Sequence, residues 1–226
     1  MKILFYGDSI TDMGRHRNEI TGEAENPAFK MGVGYANLIT AELSYQYPGE
    51  YEFLNRGISG NRTVDLYARI KKDAWNHEPD VLSILVGVND VLSPADTGDG
   101  VDIKRFEKIY RMILEDTMAR LPNVKIIMGE PFMLADCPAL TEEDKTKWEG
   151  NPAFEGKPGV RDYAKVVRKL AEEYNIAFLP LQEKLEEAAA KYCPEHYLFD
   201  GVHPTLAGAK LIAIEWLKVF NEKIKK

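Results

Sequence analysis

Short apolar runs recur along the chain and are separated by longer stretches with helical spacing. Four runs are almost continuously hydrophobic: residues 3–6, 81–86, 124–128 and 176–179. Such runs suit strands that are covered on both faces, as in a parallel sheet, because these strands have no solvent-facing side. Residues 51–55 form a weaker fifth candidate. The pattern therefore predicts a five-stranded parallel sheet.

Helical periodicity fills the segments between these runs. Apolar residues recur at i, i+3 and i+4 spacing in residues 106–121, 163–174 and 206–220, and Pro204 suits the first turn of the last helix. Residues 34–47 and 63–75 fill the earlier crossovers less distinctly. This alternation is typical of a three-layer α/β/α architecture with right-handed crossovers. Because 226 residues suit one well-buried core, we expect a single domain over residues 1–226.

Charge and hydropathy exclude several classes of function. The formal net charge of −7 argues against a nucleic-acid surface, which needs a basic stripe. No stretch approaches the roughly 18 apolar residues of a membrane span, so no membrane partner is expected. A signal peptide is also missing, since the apolar run after Lys2 is interrupted at Gly7 and Asp8. We therefore expect a cytoplasmic protein in which Cys137 and Cys193 are reduced thiols.

Two long loops follow predicted strands, at residues 13–32 and 131–156. Loops of this length in a compact domain are usually functional or disordered. Because both follow strands, we expect them at the carboxyl edge of the sheet, where open α/β folds place their ligands.

The segment 7–11, Gly-Asp-Ser-Ile-Thr, directly follows the first predicted strand. A glycine before Ser9 permits a tight turn that exposes the serine hydroxyl. Asp, Ser and Thr are also good helix N-caps, so the segment taken alone can equally be a structural cap.

Two further polar segments follow predicted strands. Residues 55–61 contain two glycines, which let the backbone approach a ligand closely and aim an N–H at it. Asn89, in the segment 87–90, can offer its side-chain N–H to a developing oxyanion. The alternatives are an ordinary strand-to-helix loop for the first segment and an N-cap or Asx-turn for the second.

The segment 200–204, Asp-Gly-Val-His-Pro, leads into the last predicted helix. The spacing lets the carboxylate of Asp200 reach the near ring nitrogen of His203 while the far nitrogen points outward. A serine nucleophile needs such a base with its orienting carboxylate. A surface turn with an incidental histidine is the alternative. Such a site needs no cofactor, and we expect no metal because no Cys/His cluster has ligand spacing.

Together these segments resemble the four sequence blocks of the SGNH, or GDSL-type, hydrolase family of esterases and lipases. The match runs from Gly7 to Pro204, and Ile10 stands where the family usually has leucine. The resemblance implies a flavodoxin-like fold. The α/β-hydrolase fold and nucleotide binding lack support, because no Gly-x-Ser-x-Gly, Walker A or Gly-x-Gly-x-x-Gly motif occurs.

The resemblance also implies a role for each residue of the site. Ser9 would be the nucleophile, His203 its base and Asp200 the carboxylate that orients the histidine. The donors to the oxyanion would be the backbone N–H groups of Ser9 and Gly60 and the side chain of Asn89. The implied reaction is acyl transfer from an ester through an acyl-enzyme on Ser9.

The substrate is predicted from the long loops and from the surroundings of the motifs. Polar loop walls with occasional aromatic rings suit a sugar better than a long acyl chain. These residues are Arg15, His16, Arg17, Glu19, Glu23, Phe29, Lys30, Phe132, Glu142, Glu143, Asp144, Lys147, Trp148 and Phe154. Residues 55–63 and 87–91 are also similar to the family branch of acetylxylan esterases and carbohydrate deacetylases.

We therefore expect an esterase that removes short acyl groups, acetate first, from O-acetylated oligosaccharides. Two alternatives stay open: a general short-chain carboxylesterase or lipase-like enzyme with the same residues, and a catalytically silent carbohydrate-binding relative. A homo-oligomer is compatible with the sequence.

Overall fold

The structure is a computed structural model that describes residues 1–16, 18, 26–96, 100–142 and 158–225. Its centre is a sheet of five parallel strands in the order β2-β1-β3-β4-β5. The strands are β1 (Lys2–Gly7), β2 (Glu52–Gly57), β3 (Val81–Leu85), β4 (Lys125–Gly129) and β5 (Ala177–Leu179). This order is that of flavodoxin-like folds, so the predicted fold class is confirmed.

All five predicted strands are present, including the weak candidate. Strand β2 pairs only with β1 and forms one edge of the sheet. Its first residue, Glu52, is exposed, whereas every residue of β3 is buried. The edge position explains why β2 gave a weaker apolar signal than β3.

Helices occupy the crossovers and both faces of the sheet. They are α1 (Ser9–Asp12), α2 (Tyr35–Gln46), α3 (Thr63–Asp73), α4 (Val88–Asp96), α5 (Ile103–Arg120), α6 (Val160–Glu173), α7 (Gln182–Ala189), α8 (Pro194–Tyr197) and α9 (Leu206–Val219). The three strong helical stripes correspond to α5, α6 and α9. The sequence interpretation missed α4, α7 and α8, which are short.

Neighbouring residues of β1 pack into opposite helical layers. The ring of Phe5 lies 5.7 Å from that of Tyr35 on α2 and 5.5 Å from that of Trp216 on α9. On the other face, the hydroxyl of Tyr6 donates to the carbonyl of Leu66 on α3 at 2.6 Å. Because both faces of β1 are covered, its sequence is apolar throughout rather than alternating.

Pro204 lies before the last helix and not in its first turn, so that prediction is wrong. Helix α9 begins at Leu206 and is capped by Thr205, whose hydroxyl accepts from Gly208 N–H at 3.3 Å. Pro204 instead forms an antiparallel bridge with Leu198. The bridge closes a short hairpin, residues 198–204, that contains two of the predicted site residues.

Cys137 and Cys193 are both free, and the Cys137 thiol donates to the carbonyl of Leu198 at 3.5 Å. Within the described residues no helix is long and apolar enough to cross a membrane. The same part of the chain contains no group of three or more His, Cys, Asp or Glu residues arranged to hold a metal ion.

Candidate active site

Three of the four motif segments meet at the carboxyl edge of the sheet. Strands β1 and β3 are neighbours although β2 lies between them in the sequence, so this edge contains a topological switch point. Open α/β folds bind ligands in the crevice at such a point. Ser9 follows β1 and Asn89 follows β3, on the two sides of the crevice. The segment after β2 approaches from the edge of the sheet.

Ser9 is the first residue of α1, and its hydroxyl points to the last motif segment. Its Oγ lies 2.8 Å from Nε2 of His203. The cap of α1 is Asp8, whose Oδ1 accepts from Ile10 N–H at 3.0 Å. The N-cap, which was the structural alternative for this segment, is therefore Asp8. The Ser9 hydroxyl is not used as a cap and contacts the histidine.

Asp200 holds the histidine from the other side. Its Oδ2 lies 2.6 Å from Nδ1 of His203, while its Oδ1 accepts from the backbone N–H groups of Val202 and His203 at 3.0 and 2.7 Å. The turn requires a glycine at Gly201, since φ is +81° and a Cβ would lie 2.5 Å from Leu140. Asp200 therefore shapes its own turn and orients the imidazole.

Asp200 and His203 each stabilise the charged form of the other. The hydrogen bond with Asp200 raises the pKa of His203 above its ordinary value, although burial opposes this shift. Burial would raise the pKa of Asp200, but hydrogen bonds from His203 and Val202 outweigh it, and the pKa is lowered. Asp200 is thus ionised at neutral pH and accepts a hydrogen bond from Nδ1–H of His203, which leaves Nε2 as the acceptor whenever the imidazole is neutral. Nε2 can then accept the Ser9 proton.

The turn after β2 carries the other candidate donors. Gly60 has φ of +79°, a left-handed conformation that favours glycine. The preceding residue is anchored from α1, because Oδ2 of Asp12 accepts from both N–H and Oγ of Ser59 at 3.1 Å. Asn89 lies in the first turn of α4 rather than at a bare strand end. Its Nδ2 donates to the carbonyl of Asn61 at 3.0 Å, which places the amide beside this turn.

Two buried carboxyl groups next to the site were missed by sequence reasoning. Asp8 and Asp90 are each 1% exposed and directly precede or follow a candidate site residue. Asp90 accepts from N–H of Thr63 at 3.2 Å and from its hydroxyl at 2.5 Å. Burial raises the pKa of Asp8 and of Asp90 to about 7. The available signal was an acidic residue within each motif, next to an apolar strand.

The structure contradicts the predicted loop walls at two positions. Arg15 and Phe132 are buried and so cannot face substrate: Arg15 donates to the carbonyl of Gly57 at 2.9 Å, and Phe132 belongs to the hydrophobic core. Phe29 is exposed and its ring lies 5.6 Å from that of His16. Lys30 and Glu142 are exposed as well. The remaining predicted wall residues lie outside the described residues: Arg17, Glu19, Glu23, Glu143, Asp144, Lys147, Trp148 and Phe154.

Sequence reasoning also missed an aromatic ring at the site. Phe199 is 54% exposed, and its ring stacks on the imidazole of His203 with centroids 5.8 Å apart and an interplanar angle of 21°. Its N–H donates to the carbonyl of His203 at 3.0 Å, across the hairpin 198–204. The residue directly precedes Asp200, so its position in the motif was the available signal.

Comparison with solved structures agrees with the fold. A GDSL-like lipase from Parabacteroides merdae superposes with a TM-score of 0.85 and is 35% identical, over 97% of this chain and 95% of that one. The acetylxylan esterase Axe2 from Geobacillus stearothermophilus superposes with a TM-score of 0.78 at 31% identity, over 98% of this chain and 94% of Axe2. Catalytic mutants of Axe2, one at a serine and one at an aspartate, match similarly.

Sequence comparison gives the same answer. An acetylxylan esterase from Geobacillus stearothermophilus is 34% identical over 223 residues, which cover 96% of this chain and 92% of the relative. The profile of the GDSL-like lipase/acylhydrolase family matches residues 5–211, a range that includes all four motif segments. The chain therefore belongs to the GDSL-like lipase/acylhydrolase family and is a carboxylic ester hydrolase.

Proposed function

We propose that this enzyme removes short acyl groups, acetate first, from O-acetylated carbohydrates through an acyl-enzyme on Ser9. The observation that carries the proposal is the continuous hydrogen-bonded chain from Ser9 Oγ to His203 and on to Asp200. This arrangement is that of an activated nucleophile, its base and an orienting carboxylate. The similarity to acetylxylan esterases adds the substrate class.

In the first half of the reaction, Ser9 Oγ attacks the ester carbonyl while Nε2 of His203 takes the hydroxyl proton. The imidazolium then gives this proton to the leaving alcohol as the ester C–O bond breaks. Water enters, transfers a proton to Nε2 and attacks the acyl-enzyme. The same proton returns to Ser9 Oγ as acetate leaves. Ionised Asp200 stabilises the imidazolium at each stage.

Negative charge develops on the carbonyl oxygen in both halves. We assign its stabilisation to the backbone N–H groups of Ser9 and Gly60 and to Nδ2 of Asn89. Donors of this kind, already held in place, are each worth on the order of 3 kcal/mol in the transition state. The contact of Asn89 with Asn61 keeps its amide beside the Gly60 turn.

The position of the leaving group favours a sugar. Because His203 protonates the leaving oxygen, the alcohol part of the ester must lie on the side of the imidazole. The exposed ring of Phe199 stacks on this imidazole and offers an apolar face to the ring of a sugar. We propose that Phe199 is a platform for the sugar that carries the acetyl group.

We propose that the reaction takes place in the cytoplasm, where the substrates would be oligosaccharides that the cell has already taken up. The buried free thiol of Cys137 suits such a reducing compartment.

Release of acetate from a panel of acetylated xylo-oligosaccharides tests the substrate class, with the Ser9→Ala variant as the blank. Alkyl esters of increasing acyl length provide the second arm. A sharp optimum at acetate is expected, and a preference for long chains would favour the lipase-like alternative. Labelling of Ser9 by a fluorophosphonate probe excludes a catalytically silent carbohydrate-binding protein, and failure to label would support it.

A further inference from the structure

Arg69, on α3, connects three segments that meet at the site. Its side chain is 14% exposed. Nη2 donates to the carbonyl of Gly7 at 3.0 Å, at the end of β1, and Nη1 donates to the carbonyl of Arg56 at 2.8 Å, near the end of β2. Nε donates to Oδ1 of Asn61 at 2.7 Å. One guanidinium thus bonds the nucleophile-bearing strand, the neighbouring strand and the turn between β2 and α3.

Two more contacts fix the guanidinium itself. Nη1 lies 3.1 Å from Oδ2 of Asp73, one turn along α3, and the guanidinium carbon lies 4.5 Å from the centre of the Tyr6 ring. Arginine suits this position because its planar fork presents several donors in fixed directions. Lysine, with a single nitrogen on a flexible stem, cannot serve all these acceptors at once.

The contact with Asn61 leads directly to the oxyanion donors. The side chain of Asn61 accepts from Arg69, and its main-chain carbonyl accepts from Nδ2 of Asn89 at 3.0 Å. Gly60 is the preceding residue. Arg69 therefore bonds to Asn61, the residue that accepts the hydrogen bond from Asn89. It also bonds to Gly7, two residues before Ser9.

We propose that Arg69 is a positioning residue, which holds Asn61 and, through it, keeps the Asn89 amide in register with the Ser9 turn. The proposal rests on the oxyanion roles proposed above. Arg69 itself touches no reacting atom and acts through Asn61. A purely structural role would lower stability and leave the turnover of the folded enzyme unchanged, whereas a positioning role lowers kcat.

The first measurement compares kcat and KM of Arg69→Gln, Arg69→Lys and wild type on one acetyl ester, well below the Tm of each variant. We expect Arg69→Gln to lower kcat tenfold or more with KM within twofold. Arg69→Lys should give at most partial rescue, since it keeps the charge but not the fork. Asn61→Ala serves as a second route, because it removes the acceptor without disturbing the arginine, and it should lower kcat in the same direction.

The matched control is Arg111→Gln. Arg111 also makes several ion-pair contacts, to Glu107 and Glu173, and lies over the ring of Tyr174. It joins α5 to α6, away from the motif segments. Its loss should change Tm and leave kcat unchanged.

A double-mutant cycle with Asn89→Ala identifies the route of the effect. In that background, Arg69→Gln should lower kcat no more than about threefold, because the donor that it positions is already gone. Losses that multiply in the double variant would overturn the proposed route. Normal turnover in both Arg69→Gln and Asn61→Ala, with Asn89→Ala impaired, would overturn the role of Arg69 alone. Normal turnover in Asn89→Ala would instead remove Asn89 from the oxyanion assignment, and this proposal with it.

Discussion

The side chain of Asn89 donates to the main-chain carbonyl of Asn61, so the start of α4 is tied to the turn that precedes α3. The two residues follow strands that are not neighbours in the sheet, and this bond crosses the strand β1 that carries Ser9. A hydrogen bond that crosses the switch point in this way holds the proposed oxyanion donors on both sides of Ser9.

Asn89→Ala is therefore predicted to lower kcat roughly 10²-fold or more with little change in KM, because the donor is needed only when charge develops. Steady-state kinetics on an acetyl ester and a thermal melt check this. Asn89→Asp sharpens the comparison, since a carboxylate would repel the oxyanion. A fully active Asn89→Asp variant would leave only the backbone donors in the assignment.

Ser9→Ala and His203→Ala should each abolish most of the turnover while the fold survives. Since the two side chains act in one proton transfer across 2.8 Å, the double variant should be little worse than either single variant. Circular dichroism controls for folding. Strictly additive losses in kcat would show that the two residues do not share a step.

The pH profile follows from the raised pKa of His203. The base must be neutral, and the hydrogen bond with Asp200 stabilises its protonated form, so kcat/KM should rise with pH through a single pKa above the ordinary imidazole value of 6.5. Asp200→Asn removes the main cause of the shift. The acid limb should then move to lower pH while kcat falls roughly 10²- to 10⁴-fold. If the acid limb of the Asp200→Asn profile stays at the wild-type pH, Asp200 does not raise the pKa of the base.

Phe199→Ala tests the sugar platform. We expect KM for an acetylated xylo-oligosaccharide to rise about three- to tenfold, as suits the loss of one ring-stacking contact. Turnover of ethyl acetate, whose alcohol is too small to cover the ring, should change little. Tyr45→Ala is the matched control, because Tyr45 is 86% exposed but lies near the end of α2. Equal effects on both substrates would argue against a platform.

The buried carboxyl groups predict an unusual dependence of stability on pH. Because burial raises the pKa of Asp90 from 3.8 to about 7, the folded protein binds its proton more tightly than the unfolded chain between these values. The free energy of unfolding contributed by this group therefore falls as pH rises from about 4 to about 7 and is constant above. Urea titrations of Asp90→Asn and wild type at several pH values test this. The fall should be smaller in the variant, which keeps only the part contributed by Asp8, whose pKa burial also raises to about 7. If the free energy of unfolding depends on pH in the same way in both proteins, Asp90 does not contribute to that dependence.

The sheet and the motif residues could be predicted from the sequence because both are local patterns. Strand β3 is apolar throughout, and the glycines, Ser9 and His203 stand in short fixed spacings. The contacts between segments are not local. Arg15 looked like a loop-wall residue and is buried against Gly57, which depends on how the loop folds back. The bonds of Arg69 join the ends of β1 and β2 to the turn before α3, and no sequence spacing predicts this contact.

Helix boundaries show the same limit. Pro204 is compatible with a first helical turn, but Thr205 provides the cap and Pro204 is taken by the bridge to Leu198. The sequence predicts Asn89 at a strand end, whereas α4 begins one residue earlier, at Val88. In both cases the local sequence permits two positions relative to the helix. The observed position is the one that allows the contact with Leu198 for Pro204 and with Asn61 for Asn89.

The distance of 194 residues between Ser9 and His203 also has a meaning for the biogenesis of the enzyme. At typical synthesis rates of about 5–20 residues per second, Ser9 is made roughly 10–40 seconds before His203, the base that we propose for it. If both residues act as proposed, hydrolytic activity arises only after the hairpin 198–204 has been made and has docked against the segment that follows β1. A nascent chain that ends before residue 198, even with β1 to β5 assembled, would lack the proposed base and would therefore be unable to cleave esters in the cell that makes it.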